Sequence, residues 1–192
     1  SEAKEYIINR LVKELPKNLA YHGVHHTLDV VKQAQTIGKS EEISNDEMFI
    51  LLTAAYFHDA GFLFQYHSNE PEAAKLASEI LPKMEYTKEE IDVICKIILA
   101  TNIEVQPRTL LEKIMCDADH DYFGRQEYSE IAFTLRKEHL EYGTSYLDIE
   151  WIKVQIKFLE EKHQYYTNTS SKLKQKMKEE NIKVLKKQLA TF

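Results

Sequence analysis

Apolar positions along this chain recur at the three-and-four spacing of helices. Between residues 2 and 15 they fall at Tyr6, Ile7, Leu11 and Leu15, and Pro16 ends the run. A second helical face, Leu28, Val31 and Ile37, lies within 21–37 after a break at Gly23. The polar connector 41–46 ends in a capping residue, Ser44 or Asn45. The segment 46–60 that follows is apolar nearly all round, from Met48 and Phe49 to Ala55 and Tyr56, which marks a helix in the middle of a bundle. His58 and Asp59 stand at its end, and Gly61 occupies the place where helices often close on a left-handed residue. Beyond an irregular aromatic loop, 62–69, helices are predicted over 70–81 and, from a Thr87–Glu90 capping box, to Ala100. Pro107 is placed to open the next helix, which runs through Ile114 and Met115 into an acidic segment from Asp117. Helical patterns over 126–142 and 148–163 precede a Lys-rich stretch, 170–192.

Composition makes this an all-α prediction. Five glycines and four prolines in 192 residues leave little turn chemistry for a many-stranded sheet. The length suits one domain: a helical bundle over 1–169, its chemistry within roughly 20–125, then a C-terminal helix or tail over 170–192. Glu179 and Glu180 interleave the lysines of that tail, so it reads as a solvated helix rather than a polyanion-binding arm. A net charge of −6 argues against nucleic acid as the main partner. Cys95 and Cys116 stand alone, and neither a leader nor an apolar run of membrane-spanning length is visible. The expectation is a protein of the reducing cytoplasm without a membrane partner. Its oligomeric state leaves no mark in the sequence.

Three separated segments carry nearly all the chemically loaded residues: Tyr21 to Val30 with His22, His25 and His26, the His58–Asp59 pair, and Cys116 to Asp121. A helix otherwise apolar all round has no structural need for adjacent ionisable residues, because burying them is costly unless a cation or counter-charge compensates. Imidazole and carboxylate together suit a divalent ion such as Mn²⁺, Fe²⁺, Co²⁺, Ni²⁺, Zn²⁺ or Mg²⁺. Two ligands hold such an ion poorly. A histidine from the first segment and an aspartate from the third would make four and leave positions for water and substrate. Asp117 and Asp119 are two apart, roughly 200° around a helix, so only one of them faces the site. His22 and His26 share a face if that stretch is helical.

This order of residues resembles the HD-domain metal-dependent phosphohydrolases, whose signature is a His, a later His-Asp doublet and a distant Asp on separate helices. The resemblance implies a helical bundle of the phosphodiesterase-like type. It makes His26, His58, Asp59 and Asp119 the metal ligands, with Asp119 preferred because the family's last ligand usually follows a small residue, here Ala118. Tyr21-His22, with His26-Thr27 and Asp29-Val30 beyond, also resembles the opening motif of the cyclic-nucleotide phosphodiesterases, which implies that His22 protonates the leaving oxygen. Asp117 to Gly124 resembles a family of small bacterial HD proteins. The implied activity is hydrolysis of a small phosphoester, of nucleotide or cyclic-nucleotide type, by water activated at the ion, with His22 and Asp59 catalytic. The alternative is a catalytically weak metal-binding module that senses a nucleotide. Many hydrolytic members carry a His-Glu pair after the doublet, whereas this chain has Asn69-Glu70, with His67 read as a surface residue and Glu70 as a helix-start carboxylate. Asp29 is a candidate for orienting a ligand imidazole. Tyr122 and Arg125 are candidates for a substrate phosphate, against a plain ion pair for Arg125, and the aromatic stretch 62–66 is a candidate wall or lid over a planar base.

Overall fold

Helix starts in this chain are set by local side-chain chemistry. In the computed structural model, which describes residues Ser1–Phe192, the hydroxyls of Ser44, Thr87 and Thr109 each accept from the backbone N–H three residues on. Glu47, Glu90 and Glu112 return the bond to the cap residue's own N–H. Such reciprocal boxes satisfy donors that a helix start leaves unpaired. Nine α-helices result, with no strand: α1 (Glu2–Glu14), α2 (Val24–Ser40), α3 (Asn45–Phe57), α4 (Asn69–Ile80), α5 (Lys88–Leu99), α6 (Leu110–Asp119), α7 (Tyr128–Glu141), α8 (Asp148–Lys157) and α9 (Asn168–Leu189). Tight 3-10 turns occupy Ala60–Leu63, Leu81–Met84 and Asp121–Gly124, and α8 ends in a π turn, Phe158–Lys162. The all-α expectation holds, and no helix is long and apolar enough to cross a membrane.

Two local expectations need correction. Pro107 does not open α6; the Thr109–Glu112 box does, with Leu110, three residues after Pro107, as the first helical residue, and Pro107 stays in the preceding loop. Gly61 has no positive φ, since Gly143 is the one glycine that does. A Cβ on Gly61 would instead lie 1.8 Å from the Asn69 carbonyl oxygen, so glycine is required because the start of α4 presses against the turn after α3.

The helices bury two apolar clusters. The larger draws on α1 to α6, among them Ile7, Val30, Leu51, Ile94 and Ile114. Helix α3 is its centre, in contact with α1, α2, α4, α5 and α6. The smaller is built from α7, α8, α9 and the turn Asp121–Gly124, with Trp151, Tyr128, Ile182 and Leu185 inside it. The Lys-rich C-terminal stretch is α9, and its Ile182 and Leu185 are buried. It crosses the Asp121–Gly124 turn so closely that a Cβ on Gly124 would meet the Lys174 carbonyl at 2.6 Å. Tyr21 and Tyr122 of the second cluster stand next to the histidines of the first.

Candidate metal centre

The seam between the clusters gathers the ends of three helices. His26 lies in the first turn of α2, His58 caps the C-terminus of α3 with Asp59 directly after it, and Asp119 is the last residue of α6. The Nε2 atom of His26 is 3.0 Å from Oδ1 of Asp119 and 3.4 Å from Oδ2 of Asp59. That of His58 is 3.1 Å from Oδ2 of Asp59 and 3.7 Å from Oδ1 of Asp119. One ligand atom each from His26, His58 and Asp119 lies within 4.8 Å of the others. The four residues expected to meet therefore do meet, from positions as far apart as 26 and 119 in the chain.

The protonation pattern favours a cation. His58 is fully buried, and its Nδ1 is 2.8 Å from the Ala55 carbonyl, an acceptor that places a proton on Nδ1 and aims Nε2 at the carboxylates. Both that Nε2 and Oδ2 of Asp59 are buried without a hydrogen-bond partner. Burial alone would lower the pKa of His58, yet the charges of Asp59 and Asp119 raise it well above the ordinary imidazole value. Burial would raise Asp119, and the hydrogen bond with His26, together with the nearby His58 charge, holds it well below the ordinary carboxylate value instead. Two carboxylates around two imidazoles thus stabilise positive charge between them. Orphaned N and O donors in a buried acidic cup fit a divalent ion of borderline or hard character.

Asp117 has another task. Its carboxylate accepts from the backbone N–H of Tyr166 and Thr167 and from the Thr167 hydroxyl, at 2.7–2.8 Å, which ties α6 to the start of α9. Its side chain points away from the cluster that Asp119 joins, as the helical spacing requires.

His22 does not sit on a shared helical face with His26. Gly23 is the N-cap of α2, so His22 belongs to the turn before the helix. It reaches the site all the same, its ring edge-on to His26 at 5.7 Å between centroids. What holds it there is Glu138 of α7, a fully buried carboxylate that bonds Nδ1 of His22 through one oxygen. The other oxygen accepts from the backbone N–H of Tyr21 at 2.8 Å and of His22 at 2.9 Å. Phe62 stacks on the His22 ring at 4.3 Å between centroids. Burial would lower the pKa of His22, but the Glu138 hydrogen bond and the charge of Asp59 raise it above the ordinary value, which favours the protonated ring. Sequence reading missed Glu138, because a glutamate on the half-polar pattern 126–142 carries no signal that it faces inward.

The other candidates fall away from the cluster. Arg125 lies 2.8 Å from Asp29 and 2.6 Å from Asp121, so both Arg125 and Asp29 are occupied by ion pairs. His67 is exposed beside Tyr66. Glu70 lies in the first turn of α4 with one carboxylate oxygen buried and unpartnered. The aromatic stretch 62–66 does not wall the cavities next to the site: Phe62 is taken by His22, and Tyr66 stacks flat on Tyr142 at 3.7 Å. Two cavities do open there, of about 390 Å³ and 300 Å³, and Tyr21, Tyr122 and Asp119 line both.

Residues 23–123 match the model of the family described as HD domain, a span that contains His26, His58, Asp59 and Asp119 but neither His22 nor Glu138. Among solved structures, the chain is similar to a predicted HD superfamily hydrolase from an uncultured Thermotogales bacterium, with a TM-score of 0.65 at 19% identity over 97% of this chain and 91% of that one. It is also similar to Bacillus subtilis YpgQ, solved in complex with ADP, with a TM-score of 0.65 at 18% identity over 99% and 97%. A third similar structure is the Lin1889 protein from Listeria innocua, with a TM-score of 0.62 at 26% identity over 98% of each chain. No curated protein matches the chain.

Proposed function

The chain belongs to the HD-domain family, and from that premise we propose that it is a divalent-metal-dependent hydrolase of phosphoric esters. The observation that carries this reading is the convergence of His26, His58, Asp59 and Asp119 on one buried point, with Nε2 of His58 and Oδ2 of Asp59 lacking any other partner. These four residues would hold the ion. A divalent ion there would supply a low-pKa water as nucleophile and polarise a phosphoryl oxygen.

The chain's own groups do the rest. Asp59 orients the attacking water by accepting its hydrogen bond. His22 gives a proton to the leaving oxygen from Nε2, because Glu138 holds the other ring nitrogen and keeps the ring charged. Tyr21 and Phe62 fix the two imidazoles by ring contact, Tyr21 against His26 at 4.6 Å and Phe62 against His22. Phosphoesters of nucleoside type are the substrate class supported by the aromatic cavity of about 390 Å³ beside Asp119, and the ADP in the similar B. subtilis structure supports the nucleoside part of that reading.

The test is release of inorganic phosphate from a panel of phosphate esters by protein supplied with Mn²⁺, Fe²⁺, Co²⁺, Ni²⁺, Zn²⁺ or Mg²⁺. Turnover with at least one of these ions, lost in His58→Ala, is the expected result. Metal uptake with no turnover of any ester would contradict the reading and leave a binding module.

A further inference from the structure

The cavity of about 390 Å³ beside Asp119 and His22 lies near the small end of the roughly 300–1,000 Å³ range of small-molecule sites. Its wall is aromatic and aliphatic, with Phe123, Tyr128, Trp151 and Phe158 beside Ala132 and Leu135. Its polar groups are few. Gln155 is already engaged, accepting from the Tyr128 hydroxyl and donating to the Trp151 carbonyl. His139 keeps a buried Nδ1 with no partner, and burial lowers its pKa, so it offers a neutral polar edge rather than a charge.

No lysine or arginine lines this cavity or the adjoining one of about 300 Å³, whose charged residues besides Asp119 are Asp29 and Glu130. Four basic side chains of the surrounding elements are engaged elsewhere, and Lys137, Lys153 and Lys157 of α7 and α8 are not among the lining residues. Arg125 pairs with Asp29 and Asp121, Lys174 with Asp121, and Arg136 with Asp148, while Lys178 donates to the His163 carbonyl. A phosphate chain longer than the metal centre itself neutralises would face aspartate and glutamate with no guanidinium or ammonium to meet it.

We propose that the cavity binds the uncharged, ring-bearing alcohol part of a phosphomonoester, so that the preferred ligand has nucleoside size and a single phosphate, with di- and triphosphates disfavoured. For the reaction, this rests on the hydrolase reading above; for binding, it does not. In the reaction, the water oxygen bonds to phosphorus, the bond from phosphorus to the alcohol oxygen breaks, and that oxygen takes the His22 proton. A water proton restores His22, and the products are the free alcohol and inorganic phosphate.

Trp151 is the only tryptophan in the chain and lines the cavity, so its fluorescence reports occupancy independently of turnover. The four common ribonucleosides, their monophosphates and their triphosphates are titrated against the full-length protein. At least one nucleoside and its monophosphate are expected to give a saturable change, with the triphosphate weaker by at least about tenfold. Ala132→Leu, which fills the cavity, weakens that binding by about tenfold or more. Val154→Phe, at a half-exposed wall position, does the same without disturbing a buried residue. In the presence of Mn²⁺ the monophosphate yields inorganic phosphate with a kcat/KM at least about tenfold above that of the triphosphate. Triphosphates that bind or react as well as monophosphates, or silence of Trp151 toward every nucleoside and monophosphate, would overturn the proposal. Nucleoside and monophosphate binding with no ester turned over would uphold the ligand class while removing the hydrolase reading.

Discussion

Glu138 takes three hydrogen bonds from Tyr21 and His22, more than 110 residues away in the chain, and that one carboxylate decides which nitrogen of His22 faces the substrate. Glu138→Gln keeps the shape but removes the charge that favours protonated His22. The expected result is a kcat lower by roughly tenfold to a hundredfold, a part of the roughly 10²–10⁴-fold that general acid catalysis contributes, with KM nearly unchanged. A proportional rise in KM would mean that Glu138 shapes the binding site instead. The two aspartates of α6 separate in the same way. Asp119→Asn abolishes metal binding with little change of fold. Asp117→Asn keeps the metal but costs about 2 kcal/mol by weakening bonds to buried donors. In a chain of this size that is roughly 4–8 °C in melting temperature. Metal content and thermal melting of the two variants check the pair, and metal loss in Asp117→Asn would reverse the assignment.

At the scale of elements, the His58–Asp59 pair was legible because α3 is otherwise apolar, and ionisable groups on such a helix call for compensation. The Thr87 capping box was legible because it rests on a contact three residues apart, and Ser44 was legible as a cap; the Thr109–Glu112 box has the same form but went unread, because Pro107 misled about the start of α6. Glu138 was not legible, since its role depends on how α7 docks against the turn before α2. Gly61 was read as a helix end with the right residue and the wrong cause, because a backbone approach from α4 is a tertiary fact. That approach yields a test of how firmly the turn holds Asp59. Gly61→Ala must displace the start of α4, at an overpacking cost of about 1–3 kcal/mol, and weaken metal binding through Asp59. Thermal melting and metal titration read the two effects; an unchanged melting temperature and affinity would show that α4 yields without moving the site.

The whole molecule is two apolar clusters meeting at a charged seam, and its acid sensitivity follows from groups buried near that seam. His163 is buried against Phe123, Tyr165 and His120 with both ring nitrogens unpaired, and burial, with His120 and Lys178 nearby, pushes its pKa down to about 2. The unfolded chain therefore takes up this proton first as pH falls. Stability from neutral His163 is intact above the unfolded value near 6.5 and declines by about 1.4 kcal/mol per pH unit below it. His163→Phe keeps the ring contacts and removes the titration. Its melting temperature at pH 7 is expected to equal or exceed that of the parent, and at pH 5 the parent has lost about 2 kcal/mol more than the variant. Parallel pH curves for the two proteins would contradict this account of His163.

The central claim, that the seam is a metal site, is tested most directly by elemental analysis of protein purified without added metal or chelator, beside His58→Ala and Asp59→Ala. The account predicts close to one divalent ion per chain in the parent and its loss from both variants. Negligible metal in the parent that added Mn²⁺, Fe²⁺, Co²⁺, Ni²⁺, Zn²⁺ and Mg²⁺ all fail to supply, or equal metal in all three proteins, would contradict it.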